Sequence, residues 1–394
     1  MPRHRAASRL EPLSATPFYF GFIVAGMATV LLGPILPILS TRWQLTDLQA
    51  GTLFAAQFAA SAVGAVVASH FRHRCVVFGY ASVAAGLAAL ALGNYGVVLL
   101  AFALLGIGLG SATTATNLIF GTKHPSQRGI LLTRVNFFWG IGAVFGPQFV
   151  AIADRAGMLR ILVLGLSLSA LAVFAAFTPL LRFKEDRQQA QTEHSGVSEK
   201  PDLPIFVLFS LLLFLYVGGE TVISGWIATY AYRFANFSPA QSSFFVSVFW
   251  LAIVLSRAAL PLFLRFVSEL TVLFAGVIAA LTGISILLFP HPAAISLASV
   301  AFAGVGCAPV FPLATARLLA RIGDSRHAGW VFAICGSGAA VLPWLTGLLS
   351  AHTGSLRAAF IVPLTAMAGV LLLVFVESML PLPRSGKNVN AISC

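Results

Sequence analysis

The stretch Arg182–Asp202, RFKEDRQQAQTEHSGVSEKPD, decides how the rest of the chain is read. It is the longest strongly polar run and lies almost at the midpoint of 394 residues. On either side the sequence stays overwhelmingly apolar. A polar linker between two hydrophobic halves is the simplest reading: residues 1–181, a linker over 182–202, and residues 203–394 with a short polar tail.

Composition makes lipid the exterior solvent. Hydrophobic residues make up 58% of the chain and charged residues 9%, against about 25% charge in an ordinary soluble domain. One soluble core cannot hide that much apolar surface. Apolar segments of about 20 residues recur, as a hydrocarbon layer of roughly 30 Å requires. The expected fold is an all-α membrane protein with twelve transmembrane helices in two six-helix halves. The first span is expected over Phe18–Leu39 and bent by Pro34 and Pro37; the tenth is expected to break at Pro309 and Pro312.

The net charge of +12 reads as positive-inside bias and gives no support to a nucleic-acid partner. With the N-terminus inside, 19 of the 24 Lys and Arg fall on the inner side. Only Arg42, Arg155, Arg160, Arg233 and Arg357 lie outside. Both termini and the linker are therefore expected in the cytoplasm, in a multi-pass cell-membrane protein. A weak internal repeat supports two halves. Gly142 and Pro147 recur as Gly338 and Pro343, Gly157 and Arg160 as Gly354 and Arg357, and Gly106 as Gly304; the offsets are 196, 197 and 198 residues.

Among the acidic residues, Glu220 stands out as well inside a span. A carboxylate there faces a bundle interior or a watery cavity far more readily than lipid. Gly218 and Gly219 precede it and are expected to open the helix, freeing carbonyls beside the charge. Thr221, Ser224 and Trp226 complete a compact cluster. Gln57, Asn117, Asn136 and Gln148 are amides that both donate and accept, which suits a hydroxylated solute; each alone also fits a helix–helix contact. Trp226 and Trp250 suit stacking on a sugar face, or core packing. Arg257 and Arg134 fit gating or snorkelling to headgroups. Four cysteines without CxxC spacing give no disulfide or metal site. No Walker loop or catalytic constellation is visible, so no cofactor, no metal and no enzyme activity are expected.

The chain resembles the major facilitator superfamily over almost its full length. The carrying features are the twelve spans, the central loop and the span-five motif with Gly142, Gly146 and Pro147. The superfamily's loop signature after span two is altered here: Ser69 and His70 stand at its Asp and Arg positions, Arg72 replaces a Gly, and Arg74 survives. YVGGETVISGWIATY (216–230) and NFFWGIGAVFGP (136–147) are similar to the fucose permease and sodium-dependent glucose transporter group. The resemblance implies alternating access and a gating role for Arg74 and the Gly142–Gly146–Pro147 motif. The expected function is secondary active transport of a small polar, monosaccharide-like solute with proton or sodium coupling through Glu220. Span one lacks the acid of proton-coupled fucose permeases, and Thr113 stands near the span-four one. Efflux of amphipathic or drug-like compounds is the nearest alternative, and a non-transporting sensor or scaffold a further one. The partners expected are the solute, a coupling ion and membrane lipid, with no obligate protein partner.

Overall fold

A computed structural model describes residues 16–123, 128–182, 203–322 and 326–380. The linker beyond Arg182, the first fifteen residues and the C-terminal tail lie outside the described residues. Among those described, twelve helices are long and apolar enough to cross a membrane. They are α1 (Thr16–Trp43), α2 (Asp47–His70), α3 (Arg72–Leu90), α4 (Tyr95–Phe120), α5 (Leu131–Arg155) and α6 (Leu159–Leu181). The second half has α7 (Leu203–Phe234), α8 (Pro239–Phe263), α9 (Glu269–Leu287), α10 (Ala293–Arg321), α11 (Trp330–Thr353) and α12 (Leu356–Met379). One end of the bundle carries Arg182 and Leu203 and is called the linker end; the α1–α2, α7–α8 and α11–α12 turns form the opposite end.

Helix ends follow local chemistry. Thr46 and Gln49 bond reciprocally at the start of α2, and Ser238 and Gln241 do the same for α8. Each box satisfies amide groups a helix start leaves orphaned. The α1 helix runs further than the hydropathy pattern predicts, to Trp43, with a single turn residue at Leu31. Pro34 offers no N–H to the Val30 carbonyl, so the ladder fails there; Pro37 sits inside the following helix without breaking it. The α10 break falls at Ala308–Pro309.

The repeat is physical. A Cβ on Gly142 of α5 would land on the Ile23 carbonyl of α1, and one on Gly338 of α11 on the Phe214 carbonyl of α7. Likewise Gly106 of α4 sits on the Gln57 carbonyl of α2, and Gly304 of α10 on the Phe249 carbonyl of α8. Small residues let helix backbones touch, which drives association in lipid where no hydrophobic force separates helix from solvent. Gly157 and Gly354 close the α5–α6 and α11–α12 turns at φ 67° and 68°, a region that favours glycine. Thus α5 packs on α1 as α11 packs on α7, and α4 on α2 as α10 on α8. Large apolar side chains such as Ile152, Leu168, Leu255 and Leu372 are exposed, as a lipid-facing perimeter requires.

The halves meet along α2 against α11 and α5 against α8, with the far part of α1 against α7 and α8. The polar bonds that join them lie toward the end opposite the linker. Asp47 meets Arg233 and Ser350. Ser243 donates to the Pro34 carbonyl, and Gln148 donates to Ser247, which donates to the Val144 carbonyl. Deeper, Phe54 packs on Trp226 and Trp139 meets Trp250 edge to face. Toward the linker end, Asn136 shares a face with Gly140, which abuts Val254 of the other half, and Asn136 is exposed.

Candidate solute and coupling site

The α7 helix is the buried spine of the second half, with Tyr216, Trp226 and Tyr230 fully enclosed. It is continuous from Leu203 to Phe234. The expected opening at Gly218–Gly219 therefore does not occur. Both glycines are packing seats: a Cβ on Gly218 would strike Leu342 and the Gly338 carbonyl of α11, and one on Gly219 would strike Met367 of α12. Glycine here answers to neighbours, and the ladder stays intact.

Freed carbonyls are found instead on α10. Pro312 has no N–H for the Ala308 carbonyl four residues earlier. Arg257 Nε of α8 donates to that carbonyl at 3.2 Å. Next to it, Tyr216 Oη donates to the Cys307 carbonyl at 2.8 Å. The Arg257 guanidinium then faces Glu220, Nη2 to Oε1 at 3.5 Å. The side chains of Arg257 and Glu220 are 37% and 13% exposed, so solvent reaches the pair.

That separation sets this carboxylate apart. Asp47 is held by Arg233 through bonds of 2.8 and 2.6 Å. Glu377 is clamped by Arg317 and Arg321, both at 2.6 Å, and is 2% exposed. A contact of 3.5 Å is at the limit of hydrogen bonding, while charge-assisted bonds shorten to about 2.7–2.9 Å. Glu220 is thus neutralised by a neighbouring charge yet not clamped by it. Its oxygens face the Arg257 guanidinium and the Tyr216 hydroxyl, with solvent beside them.

The other sequence candidates are placed as follows. Thr221 donates to Val217 O and Ser224 to Thr221 O, both within α7. Trp226 donates to Pro343 O at 3.1 Å and is sealed beneath Phe54; no face of it is open to a solute in this state. Trp250 packs on Trp139, and its buried Nε1 lacks a hydrogen-bond partner among the described residues.

The four amides do not gather into one site. Gln57 donates to Thr29 O, and its buried Oε1 has no hydrogen-bond partner among the described residues. Asn117 lies eleven residues along α4 from Gly106, which touches Gln57, so about 16 Å nearer the linker end. Asn136 bonds Leu132 O, and Gln148 is taken up by Ser247 at the opposite end. Helical spacing orders residues within one span but does not fix their depth relative to another span. Gly142 and Gly146 seat α5 on Ile23 and Met27 of α1, inside one half, with Pro147 buried beside them. Arg134 and Arg74 are exposed toward the linker end, and Arg74 lines a groove with Val67, Phe78 and Ser111. Sequence reading missed Tyr216, the Ala308 carbonyl and the buried Glu377. Pro312, four residues after Ala308, was the available signal for that carbonyl. The four-residue interval between Arg317 and Arg321 was the signal for the third.

A bundle of twelve membrane helices in two repeated halves, with an ion pair reached by solvent within it, is the plan of a solute carrier. The family profile described as Major Facilitator Superfamily matches residues 18–330. The chain belongs to that family, and its relatives are transporters rather than enzymes. A putative glucose/galactose transporter of Helicobacter pylori (strain ATCC 700392 / 26695) is 26% identical over 257 residues, covering 58% of this chain and 62% of that protein. Bypass of stop codon protein 6 of Saccharomyces cerevisiae is 22% identical over 380 residues, covering 84% of this chain and 76% of that one. Among solved structures, FucP in the outward conformation, the E. coli fucose:proton symporter, superposes with a TM-score of 0.62 at 17% identity, covering 93% of this chain and 98% of that one. A bacterial homologue of the human lysosomal transporter Spinster, inward-facing and occupied, superposes with a TM-score of 0.68 at 13% identity, covering 92% and 94%.

Proposed function

We propose that this transporter moves a small hydroxylated, monosaccharide-like solute by alternating access, with Glu220 as the coupling residue and protons as the coupling ion. The observation that carries the reading is the loose Glu220–Arg257 pair, solvent-reached and held at 3.5 Å. A neutral polar cluster would respond to no ion. A clamped pair like that at Glu377 would exchange its partner only with difficulty. Protonating Glu220 releases Arg257, whose Nε remains anchored on the α10 break; charge state is thereby linked to the position of α10. The polar contacts joining the halves at the end opposite the linker, and the exposure of Asn136 on the α5 face that turns toward the other half, support a conformation open at the linker end. The positive-inside count puts the linker end, both termini and that opening in the cytoplasm.

The test is uptake of radiolabelled monosaccharides into proteoliposomes under an imposed pH gradient, with a sodium gradient in parallel. Wild type accumulates solute when protons run inward. Glu220→Gln loses accumulation yet keeps solute exchange at equal concentrations, because the carboxylate couples and does not build the cavity. Accumulation driven by sodium alone would replace the coupling ion. Gradient-driven expulsion of amphipathic dyes without sugar uptake would overturn the solute class.

A further inference from the structure

We infer that Asp47, Arg233 and Ser350 form the gate that closes the solute path at the end opposite the linker. Asp47 is the first residue of α2, in one half. Arg233 is in the last turn of α7, and Ser350 is in α11, both in the other half. The guanidinium grips both carboxylate oxygens, Nη1 to Oδ2 at 2.8 Å and Nη2 to Oδ1 at 2.6 Å. The buried Ser350 hydroxyl donates to Oδ2 at 2.5 Å. Every bond of this cluster crosses between halves.

Three features make it a gate rather than a surface brace. Among the described residues it is the charged member of the polar set joining the halves; the bonds of Ser243 and of Gln148 with Ser247 are between neutral groups. The Asp47 side chain is 11% exposed and bonded to the buried Ser350 hydroxyl, so its carboxylate lies within the seam, while Arg233, 31% exposed, reaches it from the surface. The backbones beneath it meet glycine to glycine: a Cβ on Gly347 would fall on Asp47 O, and one on Gly51 on Trp344 and Gly347. This seat is backbone against backbone with the Trp226 ring beside it, and the polar closure is made by the side chains above it. When the halves part there, Asp47 keeps its charge at a helix N-terminus, where the dipole favours it, and Arg233 and Ser350 move away with the other half. Close charge pairs across protein interfaces show coupling strong enough to shift an equilibrium tenfold or more.

The gate is tested without a solute or an ion gradient, so its outcome is independent of the coupling role of Glu220. Spin labels on Arg42→Cys and Thr353→Cys report the width of the opposite end; labels on Phe71→Cys and Phe266→Cys report the linker end. Both are measured by pulsed electron resonance on the full chain in nanodiscs, with Cys394 replaced by Ser and the buried native cysteines left in place. Asp47→Asn is expected to raise the population with a wide opposite end by about tenfold relative to wild type, with the linker end narrowing in step. Arg233→Lys, which keeps the charge, is expected to retain most of the closed population. Ser350→Ala is the milder variant, expected to shift the distribution the same way by a smaller factor, and it decides the matter if Asp47→Asn does not fold. Unchanged distances at both ends in whichever of these variants fold would overturn the gate, as would widening at both ends together.

Discussion

At the residue scale, the account turns on how three carboxylates are held. Asp47 and Glu377 are gripped at 2.6 Å, and Glu220 stands 3.5 Å from its arginine. The sequence could single out Glu220 because it is a charge well inside a span, where burial demands a reason. It could not reveal Asp47, whose partners lie 186 and 303 residues away and carry no local signal. Nor could it show that Glu377, near a helix end, is buried. A double-mutant cycle tests the Glu220–Arg257 pair. Arg257→Met alone leaves a carboxylate without its counter-charge and is expected to lower the melting temperature in detergent. Adding Glu220→Gln to it should recover part of the loss. The coupling is expected at about 1 kcal/mol, because the guanidinium is one-third exposed and the contact is long; additive effects would show that the two charges do not interact. Clamped Glu377 should behave otherwise, with Glu377→Gln costing more than Glu220→Gln because two buried guanidiniums lose their charge partner.

At the scale of elements, prolines and glycines do the shaping. Breaks near Pro34 and Pro309 were legible from the missing N–H. The role of Gly218–Gly219 was not legible, because a glycine that loosens a helix and one that admits a neighbouring helix look identical in one sequence. The pair at 142 and 338 gives a matched test. Ala at either position would put a Cβ against a facing carbonyl, at Ile23 or Phe214, and overpacking of this kind costs about 1–3 kcal/mol. Gly142→Ala and Gly338→Ala are expected to cut the yield of monodisperse protein by similar factors, whereas Gly165→Ala and Gly336→Ala, with open space around the added carbon, should leave it unchanged. The α10 break yields a functional prediction. Pro312→Ala restores an N–H opposite the Ala308 carbonyl and competes with Arg257 Nε for it. Thermal stability should rise, while gradient-driven uptake in proteoliposomes falls about tenfold; unaltered uptake would show that the break is not used in transport.

At the scale of the whole molecule, two halves built on one plan meet at a seam joined by polar bonds toward one end and exposing Asn136 toward the other. The repeat was visible as steady Gly and Pro offsets, and the structure gives those offsets a cause: equivalent glycines seat equivalent helix pairs. Relative depth was not visible, and Gln57 and Asn117 lie about 16 Å apart along the bundle. We propose that the resting protein is open to water on the cytoplasmic side and closed on the other. Side-specific labelling of Asn136→Cys with a membrane-impermeant maleimide, in sealed vesicles of both orientations, tests it directly. Rapid modification from the cytoplasmic face, and slow modification from the other, is the predicted result; equal rates from both faces, or reaction from the external face alone, would contradict it.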